Sequence, residues 1–453
     1  MAVEELFGEL PNQARPQAAG HKGGAPRLRT PVRDQIELRA VDIDSLLGSD
    51  HPARLIWAYA EQIDLSELED AIKSREGTPG HPTITPRLLM ALWLYATSEG
   101  VGSARALERL CESHDAYRWL CGGVSVNYHT LSDFRVNNSA LLDRLLTENL
   151  AALCANGLID VTKLAQDGVK VRASAGASSF RRRPTLEQHL AVAREVVEQL
   201  KREIDGDPNI SNNRIRAAKE RAARERAARI EAALATLSKV EAQRKQRNQT
   251  TDKNGKKLKE PRASTTDPQA RVMKMADGGF RPAYNVQVVS TAGEQIVIEV
   301  DPLSTGSDRG LMRPMLEAVL ERLGRLPNRH LADGGFTAAN DIEWAHGEEI
   351  KVYCPPTKSK HGTDPYAPRR NDGPGVLEWR NRMASQDGKD QYGERPICEC
   401  IHARWRNWNL NRLNVRGKTK VKAVMQWFTL VNNILQGHRL AVERLAEQRL
   451  AAA

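Results

Sequence analysis

The order of strand and helix patterns after residue 157 restricts the possible folds of this chain more than any other feature. The segment "LIDVTKLAQDGVKVRASAG" alternates Val and Ile with other residues and predicts a strand that ends in a turn at Asp167-Gly168. Further on, "AYNVQVVST" and "EQIVIEVDPLS" predict two strands that pair as a hairpin, and "RHLADGGF" and "IKVYCPP" predict later strands separated by helices. This order predicts an α/β fold with a mixed sheet.

Two helical patterns interrupt the sheet pattern after its first strand. Apolar residues of the first helix follow a heptad spacing, and they are Leu186, Leu190, Ala193, Val197, Leu200 and Ile204. The second helix is rich in alanine and has a weak apolar stripe at Ile230, Leu234 and Leu237. We expect residues 185–247 to form a projecting helical hairpin and residues 248–266 a basic return loop. The heptad seam either packs on the hairpin's own second helix, which we favour, or joins two copies of the chain.

Helical periodicity fills the region that precedes the sheet. Segments such as "TITPRLLMALWLYATSEG" and "SALLDRLLTENLAALCANG" predict an all-α domain over residues 41–157. A polar helix near Thr130 is compatible with helix-turn-helix reading of DNA, a pattern that helical bundles in general share. Residues 1–40 are rich in Gly, Pro and Arg and predict a flexible basic arm. Residues 158–440 then form the α/β domain, and residues 441–453 form a helical tail.

Charge and cysteine content limit the partners and the compartment. The 453 residues carry a formal net charge of +10, which favours a polyanionic partner because neutralised phosphates release condensed counterions. No run of about 18 or more apolar residues predicts a membrane span, and the N-terminus lacks a secretory pattern, so a cytoplasmic location is expected. The six cysteines lack repeated CxxC spacing, which favours free thiols over disulfides or a zinc site.

Two aspartates and one glutamate are the candidate catalytic residues. Asp167 and Asp333 each follow a predicted strand and precede a glycine. Carboxylates at strand ends meet over one edge of such a sheet. Either Asp-Gly pair alone is more simply a turn. Together with Glu399 on a later helix, they offer the hard oxygen ligands that Mg²⁺ or Mn²⁺ needs in phosphoryl transfer.

Glu399 lies in the segment "YGERPICECIHARWRNWNLNRLNVRGKTKVK". Pro396 suits the first turn of a helix, where the helix dipole favours the Glu399 carboxylate. Arg406 follows almost two turns later, so both side chains share one helix face. There they either hold metal and phosphate together or form an ordinary solvated charge pair. Cys398 and Cys400 flank the glutamate but lack the second ligand pair that zinc requires.

The same segment has no Asp or Glu from Cys400 to Val442. Its cations are predicted to form a phosphate-binding face, and they are Arg404, Arg406, Arg412, Arg416, Lys418, Lys420 and Lys422. Trp405 and Trp408 lie among these cations. The two indoles either stack on bases or belong to the protein core.

Taken together, these motifs resemble DDE transposases of bacterial insertion sequences. Tyr392, Arg395, Glu399 and Arg406 match the family's C-terminal signature of Tyr, two residues, Arg, three residues, Glu, six residues and Lys. Arg replaces the final Lys, which keeps the charge but not the compact ammonium group. "LAQDGVKVRASAG" and "LADGGFTAAND" resemble the two aspartate segments, and "ITPRLLMALWLYATSEG" and "YHTLSDFR" resemble the family's N-terminal helices. The likeness covers about residues 40–440.

The resemblance implies an RNase H-like catalytic domain in which Asp167, Asp333 and Glu399 bind metal, expected to be two Mg²⁺ or Mn²⁺ ions. Activated water would hydrolyse the phosphodiester at the element end, and the freed 3′-hydroxyl would then attack target DNA. The other signature residues would position the DNA strand near the cut, and these are Tyr392, Arg395 and Arg406.

The partners that the resemblance implies are double-stranded DNA, at the element ends and at the target, and a second copy of the chain in a homodimer. Two alternatives remain at this stage. One is a DNA-binding regulator without catalysis, against which the presence of all three acids argues. The other is a nuclease of the same fold that cuts DNA without joining it.

Overall fold

The computed structural model describes residues 42–77, 81–205, 210–246, 260–357, 364–395 and 397–452, together with Ala40 and Gly362. Most of the predicted basic arm, most of the predicted return loop and Pro396 lie outside the described residues. Residues Ile43–Ala453 form one compact unit. Within the described ranges, none of the helices has the length and apolarity needed to cross a membrane.

Seven α-helices form the described part of the N-terminal region. They are α1 (Pro52–Gln62), α2 (Ser66–Asp70), α3 (Pro86–Ser98), α4 (Ala104–Ser113), α5 (Asp115–Cys121), α6 (Tyr128–Asn137) and α7 (Ser139–Ala155). Proline in the first turn starts α3, and the Asn127 side chain caps α6 by accepting a hydrogen bond from the Thr130 amide. Nearly every residue of α3 is buried, so it is the central helix of this region. The predicted helical character is confirmed, and the division into domains stays a prediction.

The helical insertion is a hairpin, as predicted. It follows strand β1 (Lys163–Arg172) and the short strand β2 (Phe180–Arg181), and its helices are α8 (Arg183–Asp205) and α9 (Ile210–Gln246). Leu186 and Ala193 of α8 are buried against Ile230 and Leu237 of α9. The heptad seam therefore packs on the second helix of the hairpin, which is the favoured of the two alternatives.

A mixed six-stranded sheet forms the centre of the molecule. β1 is the first strand of this sheet, whereas β3 (Ala263–Ser264) pairs with β2 outside it. The other strands of the sheet are β4 (Arg271–Lys274), β5 (Phe280–Thr291), β6 (Val297–Leu303), β7 (Arg329–Ala332) and β8 (Lys351–Tyr353). One edge of β5 pairs with β1 in antiparallel orientation, and its other edge pairs with β4 and β6. On the far side of β1, β7 and then β8 run parallel to it. The predicted RNase H-like mixed sheet is confirmed.

The predicted turn at Asp167-Gly168 is wrong. β1 continues through both residues to Arg172 because β5 pairs with it along its length. Glycine is needed at position 168 because a Cβ there would lie 2.4 Å from Gln287 Nε2 and 2.6 Å from Asp308 Oδ1. Close packing against a neighbouring strand, and not a turn, explains this glycine. Asp167 accordingly lies in the middle of a strand and not at its end.

Among the residues that the structure describes, six further α-helices complete the fold around the sheet. They are α10 (Met312–Leu323), α11 (Ala339–Gly347), α12 (Pro374–Ala384), α13 (Gln386–Tyr392), α14 (Ile397–Asn407) and α15 (Lys418–Ala452). α15 contributes to two cores at once. Its Trp427 and Leu430 pack with the N-terminal helices, whereas its Val421 and Met425 pack with the sheet and α14. One long helix thus holds the N-terminal region against the sheet.

A buried ion-pair group also joins these two parts. Arg322 of α10 places Nη2 2.6 Å from Glu299 Oε2 on β6 and 2.7 Å from Asp143 Oδ1 on α7. The side chains of Arg322 and Glu299 are 6% and 5% exposed. Burial raises the pKa of Glu299, and the charge of Arg322 opposes that rise. The arginine therefore compensates a carboxylate that would otherwise be costly to bury.

We expect Arg322→Met to lower the free energy of unfolding by about 3–5 kcal/mol, because it leaves Glu299 buried without its partner. Arg313 lies on the same helix in an exposed pair with Glu317 and provides the matched control. Arg313→Met should change the free energy by less than about 1 kcal/mol. Urea denaturation followed by circular dichroism measures both values, and equal effects would contradict the expectation.

His330 of β7 lies at the centre of the sheet and is fully buried. Its Nε2 is 3.2 Å from Gln166 Oε1, and its Nδ1 has no hydrogen-bond partner among the described residues. Burial disfavours the charged imidazolium and lowers the pKa of His330 to about 3. The ring is therefore neutral in the native protein at neutral pH.

Because His330 titrates near its ordinary pKa of 6.5 once unfolded, the unfolded state binds one more proton than the native state between pH 6.5 and about 3. The contribution of neutral His330 to the free energy of unfolding is fully present above pH 6.5 and is lost as the pH falls from 6.5 to about 3. The slope is at most about 1.4 kcal/mol per pH unit. We expect a shallower pH dependence of the urea midpoint in His330→Gln than in the wild type. Identical slopes would rule out this contribution.

Candidate active site

Asp167 and Asp333 lie on neighbouring strands. β1 and β7 run parallel with Gln166 opposite Ala332, so the next residue along each strand is one of the two aspartates. Asp333 follows β7 directly, as predicted, and its Oδ1 accepts a 2.7 Å hydrogen bond from the Gly335 amide. The strand register therefore brings these two predicted carboxylates side by side.

Glu399 approaches the same strand from a helix. It lies in the first turn of α14, which confirms its predicted position near a helix N-terminus. α14 packs against β1, the strand of Asp167. The Glu399 side chain is 62% exposed, so it can reach a ligand from solvent.

Arg395 connects two of the three acids. Its Nη2 is 3.3 Å from Asp167 Oδ2, and its Nη1 is 3.2 Å from Glu399 Oε1. Only 13% of the Arg395 side chain is exposed. Burial by itself lowers the pKa of this guanidinium, but the charge of Asp167 and other nearby groups raise it overall. Arg395 is thus a fixed positive charge between the strand and the helix.

The electrostatic environment of Asp167 is unfavourable for its charged form. Burial is the largest cause of its raised pKa, and the negative charges of Asp333 and Asp308 add to the rise. The charge of Arg395 and the hydrogen bond from the Gly168 amide act in the opposite direction. Raised carboxylate pKa values of this origin are typical of functional sites.

His402 is a neighbour of Asp167 that sequence reasoning missed. Its Nδ1 lies 3.5 Å from Asp167 Oδ2, and its Nε2 is buried without a hydrogen-bond partner among the described residues. Burial, with the charges of Arg406 and Arg395, lowers the pKa of His402 to about 4. Its position three residues after Glu399, on one helix face, was the signal available in the sequence.

An open cavity of about 400 Å³ lies beside β1 and α14, and Asp333 is not among the residues that line it. Asp167, Glu399 and His402 line it together with cations, which are Lys170, Lys274 and Arg406. Glu399 and Arg406 therefore both line this cavity, as their spacing on one helix face predicts. Lys170 and Lys274 were not predicted, because they come from β1 and β4 and only the sheet brings them together.

Tyr392, the first residue of the C-terminal signature, ends α13. Its side chain is half-buried and packs on the core that contains Phe336 and Trp379. Burial raises the pKa of Tyr392, and the charge of Arg395 opposes the rise. The ring is therefore a neighbour of Arg395 at the edge of the site.

The predicted phosphate-binding cations divide into two groups. Those that are exposed are Arg406, Arg412, Arg416 and Lys420. Lys422 is half-buried, and Arg404 and Lys418 make contacts within the protein. Lys418 Nζ pairs with Asp301 Oδ2 at 2.9 Å. Arg404 donates to Asn432 Oδ1 at 2.6 Å and to Gln295 Oε1 at 2.7 Å, so its guanidinium is engaged inside the fold.

The tryptophans and cysteines of this segment differ in burial. Trp405 is fully buried in the core between the sheet and α15, so it is a core residue and does not stack on bases. Trp408 is half-buried against the same core. Cys398 is buried with its Sγ 3.3 Å from Ser290 Oγ, whereas Cys400 is exposed. One cysteine beside Glu399 therefore packs inward, and the other faces solvent.

Whether the predicted carboxylates could bind a metal ion depends on the atoms that they offer and on their separation. Across the described ranges, no group of three or more His, Cys, Asp or Glu side chains is close enough to hold one ion. Asp167, Asp333 and Glu399 nevertheless all offer carboxylate oxygens, the ligands that Mg²⁺ and Mn²⁺ prefer. Arg395 forms ion pairs with two of them, so its positive charge competes with a cation for these carboxylates. The residues fit a divalent cation in the chemistry of their donor atoms.

Two family models match the chain. Residues 41–137 match the family described as Transposase domain (DUF772), and residues 238–434 match the one described as Transposase DDE domain. The second match contains Asp333 and Glu399, while Asp167 precedes it. No curated protein and no solved structure matches the chain significantly. The two matched regions correspond to the N-terminal helices and to the sheet with its C-terminal helices, and the chain belongs to the DDE transposases of insertion sequences.

Proposed function

We propose that this transposase binds the ends of its insertion sequence and catalyses metal-dependent cleavage and transfer of DNA strands at the cavity between β1 and α14. The arrangement at Arg395 carries the proposal. One guanidinium holds Asp167 and Glu399 beside a cavity whose rim includes Arg406. The buried Asp167 carboxylate is costly, and a protein that only binds DNA gains nothing from placing it next to phosphate-binding cations.

DDE transposases generally use divalent metal ions. In this chain Asp167, Asp333 and Glu399 would hold them, and two Mg²⁺ or Mn²⁺ ions are expected. When bound, such ions polarise the phosphodiester and neutralise the charge that develops on it. Their positive charge would also relieve the repulsion that contributes to the raised pKa of Asp167.

The protein's own cations hold the DNA strand in place. Arg406 and the two rim lysines, Lys170 and Lys274, are placed to pair with backbone phosphates, contacts that fix position without reading sequence. Arg395 keeps the carboxylates of strand and helix at a constant separation. Tyr392, packed beside it, would contact the strand near the cut.

The exposed cations beyond the cavity extend this surface, and they are Arg412, Arg416 and Lys420. Lys418 adds positive charge although it is paired with Asp301. Arg404 is left out of the proposed surface because its donors are engaged within the fold. The N-terminal helices would bind the element ends, and a homodimer would bring two ends together.

We expect Asp167→Asn, Asp333→Asn and Glu399→Gln each to abolish strand cleavage while leaving DNA binding largely intact, because each removes one carboxylate charge with little change of volume. The assay incubates the protein with its own element ends, Mg²⁺ and a plasmid target. Asp390→Asn, which changes an exposed acid on α13, is the matched control and should cleave normally. Retained Mg²⁺-dependent cleavage by any of the three variants would contradict the assigned triad.

The same assay separates the proposed function from its alternatives. Joined products support transposition. Cleaved products without joining indicate a nuclease, and shifted but intact DNA indicates a binding regulator. Either of the last two results from an active preparation would overturn the proposed strand transfer.

We expect Arg406→Ala to weaken binding to duplex DNA and to reduce the slope of log affinity against log salt by about one unit, because one phosphate contact is lost. Arg406→Lys keeps the charge and should preserve the slope. Arg439→Ala is the control for removing an exposed arginine. Arg439 lies outside the proposed surface, with its Nε 3.6 Å from Glu443 Oε1. Fluorescence anisotropy over a salt series measures the slopes, and equal slopes for the alanine variant and the wild type would remove Arg406 from the DNA surface.

A further inference from the structure

A buried arginine lies where the N-terminal helices meet the connection between α14 and α15. Arg135, the last residue of the segment "YHTLSDFR" on α6, is 7% exposed. Its Nη1 donates a 2.6 Å hydrogen bond to the Gly102 carbonyl, and its Cζ lies 4.5 Å from the centroid of the Trp93 ring. Its Nε is buried and has no hydrogen-bond partner among the described residues. The protein therefore satisfies this guanidinium only in part.

The charge of Arg135 has no compensating carboxylate. Burial lowers the pKa of Arg135 to about 10 and no acidic group contributes to the shift, so the side chain remains charged at neutral pH. The buried Arg322 and Arg380 differ, because they lie 2.6 Å from Glu299 and 2.7 Å from Asp372. A buried charge is costly unless it is paired. Arg135 would therefore gain from an anion.

Two cavities give access to Arg135. It lines one of about 440 Å³ and another of about 160 Å³. The larger cavity is also lined by Arg105 and the smaller by Arg412, and both of these arginines are exposed. No Asp or Glu is among the described residues that line either cavity. Both cavities therefore attract negative charge.

The start of α4 adds backbone donors to the larger cavity. Ser103, the N-cap of this ten-residue helix, and the first two helical residues, Ala104 and Arg105, line it. The first amides of a helix lack acceptors within the helix, and the helix dipole favours an anion there. A Cβ on Gly102, the residue before the cap, would lie 4.0 Å from both Nη1 and Nη2 of Arg135. The helix start and the guanidinium are therefore neighbours.

The connection between α14 and α15 supplies the remaining wall. Asn414 lines both cavities, and its Nδ2 donates to the same Gly102 carbonyl at 3.1 Å. Arg412 on this connection is one of the exposed cations of the proposed DNA surface. The site at Arg135 is therefore continuous with that surface.

We propose that Arg135 and the start of α4 bind a phosphate group of the DNA backbone where the N-terminal helices meet the connection between α14 and α15. The inference rests on the proposed function, because its ligand is the DNA that the transposase is proposed to bind. A guanidinium suits phosphate oxygens because its donors form a rigid planar fork. Arg105 adds charge at the same cavity. Such a contact fixes the position of the duplex and does not read its sequence.

Element-end duplexes in which single phosphates are replaced by neutral methylphosphonates test this site in the full-length protein. We expect one replacement to weaken binding to the wild type by at least about tenfold, the effect of losing a charge-assisted hydrogen bond. In Arg135→Met the same replacement should cost less than about twofold, because its partner is already missing. Arg144→Met removes an arginine of α7 that pairs with Glu148, and as the matched control it should leave the cost unchanged. Fluorescence anisotropy measures the affinities, and equal costs in the wild type and Arg135→Met at every position overturn the proposal.

Folding needs a separate control, because Arg135 is buried. Near-ultraviolet circular dichroism shows whether Arg135→Met keeps the native packing. Arg105→Met removes an exposed cation of the same cavity, and neutralising the same phosphate should also cost less in this variant. Unchanged costs at every position in Arg105→Met overturn the proposal even if Arg135→Met does not fold.

Inorganic phosphate distinguishes the source of the anion. Urea denaturation of the DNA-free protein in phosphate and in chloride of equal ionic strength measures its binding. If phosphate stabilises the wild type but not Arg135→Met, and no DNA position is coupled to Arg135, the site takes free phosphate and the DNA proposal is overturned. Element-end binding without a coupled position rejects only this site. If the wild type does not bind element ends at all, the proposed function is rejected and this site with it.

Discussion

Parallel pairing of β1 with β7 is the interaction on which the candidate site depends. It places Gln166 opposite Ala332, and so makes Asp167 and Asp333 the next residues on adjacent strands. A shift of one residue would turn Asp167 to the other face of the sheet. Pairing with β5 along the whole of β1 holds that register. The position of the carboxylates is therefore a property of the sheet and not of local turns.

Charge balance around Asp167 links the sheet to the C-terminal helices. Burial raises the pKa of this carboxylate, and Asp333 and Asp308 add to the rise. Arg395 opposes it and reaches Glu399 at the same time. α14 begins at Ile397, and the ion pair with Glu399 joins Arg395 to the first turn of that helix. Such a site gains from added positive charge, which is what a divalent cation would bring.

The N-terminal helices and the sheet share interior interactions. α15 supplies side chains to both cores, and Arg322 pairs with Glu299 of β6 and with Asp143 of α7. A buried group of this kind is sensitive to loss of one partner. Movement of the N-terminal helices relative to the sheet would have to break it. The ion-pair group therefore fixes the N-terminal helices relative to the sheet.

The sequence by itself determined the mixed α/β fold, the helical hairpin with its seam, the strand-end position of Asp333 and the shared face of Glu399 and Arg406, because these follow from local periodicity and spacing. Tertiary structure alone decided the rest. The turn expected at Asp167-Gly168 became continuous strand because β5 pairs across it, and Arg404 turned inward because α15 offers it acceptors. Lys170, Lys274 and His402 joined the site for the same physical reason: contacts between residues far apart in the chain depend on packing, which no local pattern encodes.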